Sequence, residues 1–393
     1  MTKKLYYENP YLTNWTTTVT KTIEKDNFYF VTLKETAFYP EGGGQPSDSG
    51  LIDTIRVLDV FQKDGEVYHK LPHPLEKETV ECQIDWELRY DHMQQHTGQH
   101  LLSAICIDEY DAHTSSFHLG KDNVTIDLSV PEFSDEQLKH IENQVNKEIF
   151  ANRDINTYFV TKEQAGTLPL RKMPEVEGNE IRIVEIDGID TSACAGTHVS
   201  RTGELGIMKL LKTEKSKGNT RVSFIFGGRA LKDYQTTHTI LTSLATQHST
   251  NREGLAEKIA KIEIENKHYQ KEIEELKEKL NQFLAQELIQ THEGSIISKS
   301  FEDKSLKELQ GIAKQIHEAT NQCVIFTTTH ENKLLISHSG SFPVQCGQLF
   351  KQELKSYNGK GGGNNTTAQA AFSNSKDMEA FRDFLETTVR ESL

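Results

Sequence analysis

Short alternations of apolar and polar residues fill the first 88 positions of the chain, and this period of two is typical of half-buried β-strands. Two dipeptides, Asp26-Asn27 and Asp64-Gly65, interrupt the alternation and are typical of tight hairpin turns. The pattern therefore predicts two hairpins in a small all-β domain at 1–88. Their strands are predicted at 16–25, 28–35, 55–62 and 67–71.

Helical and strand periods mix between residues 89 and 230, which indicates an α+β domain. A helix is predicted at 96–109 from the spacing of its leucine and isoleucine residues. Ser134 and Gln137 have the spacing of a capping box and predict the first turn of a second helix. Strands are predicted at 124–128, 155–160, 181–186 and 221–226.

The most regular pattern lies within residues 231–290, where apolar residues are spaced alternately four and three apart over 255–283. Asn266 falls on the same heptad position as Ile259 and Ile273, where a single Asn fixes register and oligomeric state. Two uses of this helix remain open, a homodimer through the 255–283 heptad helix and an antiparallel hairpin within one chain. The seam is formed by Leu255, Ile259, Ile262, Asn266, Tyr269, Ile273, Leu276, Leu280 and Phe283.

Residues 291–393 form a further α/β pattern, with helices predicted at 305–319 and 377–393 and strands at 323–328 and 333–337. The predicted fold class of the whole chain is therefore α+β. It comprises a small N-terminal β-barrel-like domain, a central α+β domain, a long coiled-coil-like helix and a C-terminal α/β domain.

The chain has 393 residues and a formal net charge of −14, from 44 basic and 58 acidic side chains. This charge argues against a protein that coats nucleic acid by bulk electrostatics, although a local basic surface is compatible with it. The five cysteines are scattered and odd in number, which favours reduced thiols in a cytosolic protein. No run approaches the roughly 18 apolar residues of a membrane span. We therefore expect a cytoplasmic protein without membrane or DNA contacts.

Two pairs of metal-binding residues are the strongest chemical signal in the chain. His96 and His100 are four residues apart, so on a helix both imidazoles lie on one face. Cys194 and His198 offer a thiolate and a further imidazole, with small residues between them. Together the pairs predict a zinc site with one ion per chain. Thr97 stands where zinc peptidases of the HExxH type carry their catalytic Glu, so a peptidase is disfavoured.

The number of zinc ligands stays open at this point. A structural zinc site uses four protein ligands, whereas a catalytic one keeps a position open. His198 is the residue that could instead act as a base or contact the substrate.

The motifs resemble those of the stand-alone alanyl-tRNA editing proteins, relatives of the editing region of alanyl-tRNA synthetase. The resemblance extends over essentially the whole chain and implies the long type, with a DHH-associated C-terminal domain at 291–393. Because the chain begins at the β domain, without a preceding aminoacylation domain, we expect it to act in trans. The matching segments are 38–45 (FYPEGGGQ), 48–50 (DSG), 96–102 (HTGQHLL), 194–199 (CAGTHV), 202–206 (TGELG), 359–363 (GKGGG) and 368–370 (AQA).

The resemblance implies a zinc-dependent hydrolase that removes serine from mischarged tRNA(Ala), and it leaves open whether glycine is removed as well. Serine and glycine are the expected errors at an alanine site, because a small pocket rejects one added hydroxyl by only about a hundredfold and cannot exclude glycine by size. The zinc could lower the pKa of a bound water to about 7 or could position the substrate for a free water. We favour positioning, because the aminoacyl ester is already activated.

The resemblance also implies which side chains contact the substrate. Thr114, Ser115 and Ser116 are candidates for recognising the serine hydroxyl, although a simple turn before a strand explains any one of them equally well. Asp127 matches an acidic position of the family and could be purely structural. Gln45 and the neighbouring glycine-rich segment of the β domain are expected to line the pocket.

Contacts with tRNA are predicted in two places. The segment 201–232 has eight basic and two acidic side chains in an otherwise acidic protein. A solvated surface of mixed charge is the alternative for this segment. The C-terminal glycine-rich loop could admit the RNA backbone closely, because glycine N–H groups are unobstructed. The predicted contacts are Lys212, Lys215, Lys217, Arg221, Lys360, Gly361, Gly362 and Gly363.

Two other functions remain open on the sequence. One is a non-catalytic tRNA-binding module whose zinc is structural. The other is an editing factor of the threonyl type, which shares the paired zinc motifs but is disfavoured by the β domain and the glycine-rich C-terminal segment.

Overall fold

The computed structural model describes residues 1–121, 123–172 and 179–393. The chain forms two compact units, 1–244 and 245–393, and its fold class is α+β as predicted. The two units are coarser than the four domains predicted from the sequence, so the bounds of those domains remain a prediction. No helix of the described residues is long and apolar enough to cross a membrane.

The N-terminal part of the first unit is a seven-stranded antiparallel sheet with the order β6-β5-β9-β2-β3-β8-β7. The long strand β2 pairs with β9 through its first half and with β3 through its second half, and β6 approaches β8, so the sheet curves into a nearly closed barrel. The elements are β1 Lys3–Lys4, α1 Leu5–Glu8, β2 Asn14–Lys25, β3 Phe28–Leu33, β4 Glu35–Thr36, β5 Gly50–Ile52, β6 Ile55–Val57, β7 Asp59–Lys63, β8 Glu66–Leu71 and β9 Thr79–Ile84.

Both predicted hairpin turns of the barrel are confirmed. Asp26 and Asn27 have φ angles of 52° and 62°, and Asp64 and Gly65 have φ angles of 49° and 79°. Two successive residues with positive φ match the right-handed twist of the strands that they connect, and Asn, Asp and Gly tolerate that conformation best. The alternating apolar residues of these strands fill the barrel interior.

The rest of the first unit places helices against two further antiparallel sheets, ordered β10-β11-β16-β15 and β12-β13-β14. The predicted capping box is confirmed, since Ser134 Oγ accepts from Gln137 N and the Gln137 side chain accepts from Ser134 N. The elements are α2 Trp86–Tyr110, β10 Thr114–Leu119, β11 Val124–Leu128, α3 Asp135–Phe150, β12 Ile155–Thr161, α4 Lys162–Ala165, β13 Glu180–Ile186, β14 Asp190–Ala193, β15 Met208–Ser216, β16 Asn219–Phe226 and α5 Gly227–Gln247.

The predicted start of helix α2 at residue 96 is wrong, because the helix begins ten residues earlier at Trp86. Most of the buried side chains in its first turns are polar, so the sequence there lacks the regular spacing of apolar residues that predicts a helix. Arg89 is wholly buried and donates to the Asp48 carboxylate of the barrel. Gln94 donates to Glu204 O, and Gln95 exchanges two hydrogen bonds with the Phe226 backbone. These contacts join α2 to the barrel on one side and to the central sheet on the other.

The second unit has a five-stranded sheet ordered β17-β18-β19-β21-β20, in which only the β17–β18 pair is parallel. Helices α6 and α7 pack on one face of this sheet, and α8 and α9 pack on the other. The elements are α6 Leu255–Thr291, β17 Ile296–Phe301, α7 Leu306–Ala319, β18 Cys323–Thr328, β19 Lys333–Ser337, α8 Cys346–Glu353, β20 Lys360–Gly363, β21 Thr367–Ala371 and α9 Ser375–Glu391.

Helix α6 has 37 residues and holds the whole heptad seam. Its C-terminal end is buried at Ala285 and Leu288, which pack with α7 and the sheet. Leu255 at the start of the seam is buried, whereas the rest of the seam is exposed, with Leu276 56% and Phe283 69% exposed. A partner for this apolar stripe therefore stays a prediction.

Candidate metal centre

Four side chains from two segments of the first unit meet at one point. His96 and His100 lie one turn apart on α2, Cys194 follows β14 directly, and His198 lies four residues beyond. One ligand atom from each residue lies within 4.8 Å of all the others. Cys194 Sγ is 3.5 Å from His96 Nε2 and 3.3 Å from His198 Nε2. A tetrahedral zinc site separates a sulfur and a nitrogen ligand by about 3.6 Å, so the cluster could hold a metal ion of this size.

The loop that presents Cys194 is shaped by a glycine and held by an arginine. A Cβ on Gly196 would lie 2.3 Å from His96 Cε1, so only glycine allows the loop to approach the helix this closely. Arg182 Nη1 donates to Cys194 O and Gly196 O, at 2.8 and 2.9 Å. The Arg182 guanidinium also lies over the Tyr7 ring, which comes from the N-terminal segment. The thiol is thus anchored by three separate parts of the unit.

Each imidazole of the cluster has a partner for its outer nitrogen. His96 Nδ1 donates to Gln45 Oε1 at 2.8 Å, and His100 Nδ1 donates to Asp190 Oδ2 at 3.1 Å. His198 Nδ1 lies 3.0 Å from the Thr97 hydroxyl. Such partners fix the tautomer and the ring orientation of metal-binding histidines, and they leave Nε2 of each ring available for a metal.

Gln45 connects the barrel to both segments of the cluster. It is wholly buried, and its Oε1 accepts from Thr197 N at 3.1 Å as well as from His96. Its amide nitrogen donates to Thr197 Oγ1 at 2.8 Å. The sequence predicted that Gln45 lines the substrate pocket, but the structure places it behind His96. Its contacts are those of a residue that orients the cluster.

Asp190 is held in turn by Arg171, whose Nε lies 2.7 Å from Asp190 Oδ1. Burial alone would raise the pKa of Asp190, but the hydrogen bond from His100 and the charge of Arg171 hold that pKa below its usual value. Burial likewise opposes ionisation of Cys194, yet the neighbouring imidazoles place the pKa of this thiol well below 9. Burial lowers the pKa of His198 to about 3. A thiolate and a neutral imidazole are the forms that bind metals.

A cavity of about 330 Å³ opens onto the cluster. Three of the four cluster residues line it, namely His96, His100 and Cys194, while His198 is not among the described lining residues. No Asp or Glu of the described residues lines it either. A larger cavity of about 430 Å³ lies in the second unit beside α7. The other lining side chains include Tyr39, Gln99, His113, Thr114, Phe117 and Arg171.

Comparison with known proteins agrees with this arrangement. The family described as "Threonyl and Alanyl tRNA synthetase second additional domain" matches residues 181–223, which include Cys194 and His198. The DHHA1 domain matches residues 293–391. Alanyl-tRNA editing protein AlaX-L of Pyrococcus horikoshii is 33% identical over 389 residues, which cover 94% of each chain. The chain belongs to the family of alanyl-tRNA editing proteins.

Other relatives either match only part of this chain or are longer proteins that match it over part of their own length. Alanyl-tRNA editing protein Aarsd1 of Bos taurus is 36% identical over 245 residues, which are 61% of this chain and 55% of that one. Alanine–tRNA ligase of Pyrococcus abyssi is 31% identical over 99% of this chain, but the match covers 43% of the ligase.

The structure separates the three hydroxyl residues that were candidates for substrate recognition. Strands β10 and β11 shift register between Thr114 and Ser116, so Ser115 is an extra residue in the ladder. Such a bulge re-aims neighbouring side chains. Thr114 lines the cavity, whereas Ser115 Oγ donates to Asp127 O and Ser116 Oγ donates to the Asp127 carboxylate. Thr114 is therefore the member of the three that lines the cavity onto which the cluster opens.

The predicted tRNA contacts on β15 and β16 lie in a surface of paired charges. Lys212 contacts Glu214, Lys215 contacts Glu132, and Arg221 makes two hydrogen bonds with Asp127. Lys217 lies in the turn between the strands with a φ of 50°. Several acidic partners come from outside the segment 201–232, so its net charge in the folded protein is lower than its sequence alone indicates.

The prediction of a glycine-rich loop in the C-terminal domain is wrong, because Lys360–Gly363 forms the edge strand β20. A Cβ on Gly361 or Gly363 would lie 2.1 or 2.0 Å from a carbonyl oxygen of β21. These two glycines are therefore explained by close strand pairing. A Cβ on Gly362 would meet no atom within 4 Å, and Lys360 is exposed, so these two residues remain open to a partner.

Sequence reasoning missed the polar residues that support the cluster and the cavity. Their types are common in any protein, and only the fold brings them next to the histidines. A partial signal existed in the unusual run of polar residues on the buried side of α2. The residues missed are Thr97, Gln99, Ser103, Arg171, Arg182 and Asp190.

Proposed function

We propose that this chain hydrolyses the aminoacyl ester of tRNA(Ala) mischarged with serine, in trans in the cytoplasm, and the experiment below decides whether the glycyl ester is a substrate as well. The observation that supports this best is the His/Cys cluster at the base of a cavity, in a chain that matches an alanyl-tRNA editing protein over 94% of both lengths. Deacylation is the reaction that such a protein needs in order to correct a mischarged tRNA.

We further propose that the cluster binds one zinc ion through His96, His100, Cys194 and His198. Three imidazoles and one thiolate are a donor set that zinc favours. When bound, zinc would act as a Lewis acid that anchors or polarises the substrate or its water. His198 is 2% exposed and is not among the described residues that line the cavity, so a role as fourth ligand suits it better than contact with the substrate.

The residues of the cavity would work by selecting and placing the ester. No Asp or Glu of the described residues lines the cavity, so none of those residues offers a general base there. An aminoacyl ester is activated already, and correct placement of the reacting groups can supply much of the rate. The Thr114 hydroxyl would recognise the serine side chain, and alanine, which lacks that hydroxyl, would be held less well.

Phosphate contacts would come from Lys212, Lys215, Lys217 and Arg221 on the β15–β16 hairpin, and from Lys360 with Gly361–Gly363 at the edge of the C-terminal sheet. The ion pairs of Lys212 and Lys215 are exposed, and exposed pairs are weak enough to exchange a carboxylate for a phosphate. Each phosphate contact that is lost should reduce the slope of log affinity against log salt concentration by about 0.7 to 0.9. Lys360→Ala and Lys215→Ala test the two surfaces separately.

The decisive experiment measures release of serine, glycine and alanine from the three aminoacylated forms of tRNA(Ala). We expect fast serine release and slow alanine release by the metal-loaded chain, with loss of serine release after chelation and in the His100→Ala variant. A chain that binds tRNA(Ala) but releases no amino acid would instead be a non-catalytic module with a structural metal. Release of serine from seryl-tRNA(Thr) but not from seryl-tRNA(Ala) would indicate threonyl-type editing.

A further inference from the structure

A short chain of hydrogen bonds leads from helix α2 to the Thr114 hydroxyl. The Gln99 amide nitrogen donates to Ser103 Oγ at 2.8 Å, and Ser103 Oγ lies 2.6 Å from Thr114 Oγ1. Gln99 and Ser103 are one helical turn apart, so they lie on one face of α2. Gln99 and Thr114 line the cavity, whereas Ser103 is wholly buried behind them.

The groups in this chain differ in what they can donate, and the first hydrogen bond has a fixed direction. An amide nitrogen only donates, whereas a hydroxyl donates one proton and accepts through its oxygen. Because Ser103 Oγ accepts from Gln99, its own proton is free to point to Thr114 Oγ1. When Ser103 donates to Thr114 Oγ1 in this way, the proton of Thr114 is left for a group in the cavity.

We propose that Ser103 is a positioning residue for substrate selection, which holds the Thr114 hydroxyl as a hydrogen-bond donor toward the side-chain hydroxyl of a seryl ester. This inference rests on the proposed function. Ser103 touches no substrate, since it has no exposed surface. The register shift in β10 fixes the backbone of Thr114, and Ser103 fixes the rotation of its hydroxyl.

The consequence is selectivity between esters that differ by one hydroxyl. A seryl oxygen accepts the Thr114 proton, whereas an alanyl or glycyl group leaves that donor without a partner. A site built to pair with a hydroxyl rejects an analogue that lacks it far better than an apolar pocket does. Without Ser103, the Thr114 proton is free to rotate, and part of this preference should be lost.

The test compares single-turnover release of serine, glycine and alanine from tRNA(Ala) by the full metal-loaded chain and by Ser103→Ala. We expect serine release to slow about five- to tenfold, the effect of one hydrogen bond, with glycine and alanine release within about twofold of wild type. Thr220→Val is the control, because Thr220 is also a buried hydroxyl, bonded to Val130 O on the central sheet. It should leave all three rates unchanged.

A double-mutant cycle with Thr114→Val separates positioning from general support of the helix. If Ser103 acts through Thr114, adding Ser103→Ala to Thr114→Val should change serine release by less than about 1.5-fold. Equal losses for all three esters, full additivity in the cycle, or unchanged serine release would overturn the inference. Ser103→Cys, which keeps the size of the side chain and weakens the donor, repeats the test should Ser103→Ala fold poorly. A wild-type chain that releases no amino acid would overturn the proposed function itself, and the inference with it.

Discussion

Gln45 lies outside the four-residue cluster, yet its removal should weaken metal binding. Gln45→Ala deletes the acceptor of His96 Nδ1 and of Thr197 N, at 2.8 and 3.1 Å, and leaves both donors buried. His96 then loses the contact that fixes its ring, and the loop that carries Cys194 and His198 loses its link to the barrel. Loss of one such outer contact weakens metal binding about 10- to 100-fold. This range corresponds to about 1.4–2.7 kcal/mol of binding free energy.

The assay is competition for zinc between the protein and a coloured chelator at constant pH, with thermal unfolding of the metal-free proteins measured in parallel. Gln45→Glu should bind zinc as tightly as the wild type or more tightly, since a carboxylate is a stronger acceptor for His96 Nδ1. Gln62→Ala is the matched control, because Gln62 is an exposed glutamine of the same barrel, bonded to Lys4. The reasoning is refuted if Gln45→Ala keeps wild-type zinc affinity, or if Gln45→Glu loses as much affinity as Gln45→Ala.

Three further outcomes are expected. His69 is wholly buried and its pKa is lowered to about 4, so between this pH and about 6.5 the folded state binds fewer protons than the unfolded state. Urea titrations should therefore show about 3 kcal/mol of stability lost as the pH falls from about 6.5 to 4, and the His69→Gln variant should show a shallower loss. Asp48→Asn leaves the Arg89 charge buried without its partner and should lower the free energy of unfolding by about 3–5 kcal/mol in chemical denaturation. If the heptad seam forms a homodimer, Leu276→Glu should convert it to monomers in sedimentation velocity, whereas a monomeric wild type would contradict the predicted dimer.

The sequence predicted best where local chemistry decides the structure. The positive φ angles of Asp26 and Asn27, and the paired hydrogen bonds of Ser134 and Gln137, depend on a few neighbouring residues. The turns and the helix start could therefore be predicted without knowledge of the fold. The same holds for the spacing of His96 and His100, since an i, i+4 pair meets on any helix.

The failures share a different cause, which is that polar contacts are made between distant segments. Arg89, Gln94 and Gln95 are buried because the barrel and the central sheet offer them carboxylate and backbone partners. A periodicity of apolar residues cannot reveal a helix that is buried in this way. The glycines of β20 were similarly misassigned to a loop, because close pairing with β21 is a long-range requirement.

The position of Gln45 changes what the N-terminal barrel contributes to the site. If the barrel only contacted the substrate, its loss would weaken substrate recognition and leave metal binding intact. Here one barrel side chain is bonded to a cluster histidine and to the loop between the other two cluster residues. The barrel is further joined to α2 by the buried Asp48–Arg89 pair. Damage to the barrel should therefore reduce metal affinity and unit stability together. Selectivity for the side chain of the ester, by contrast, should depend on Thr114 and on Ser103 behind it.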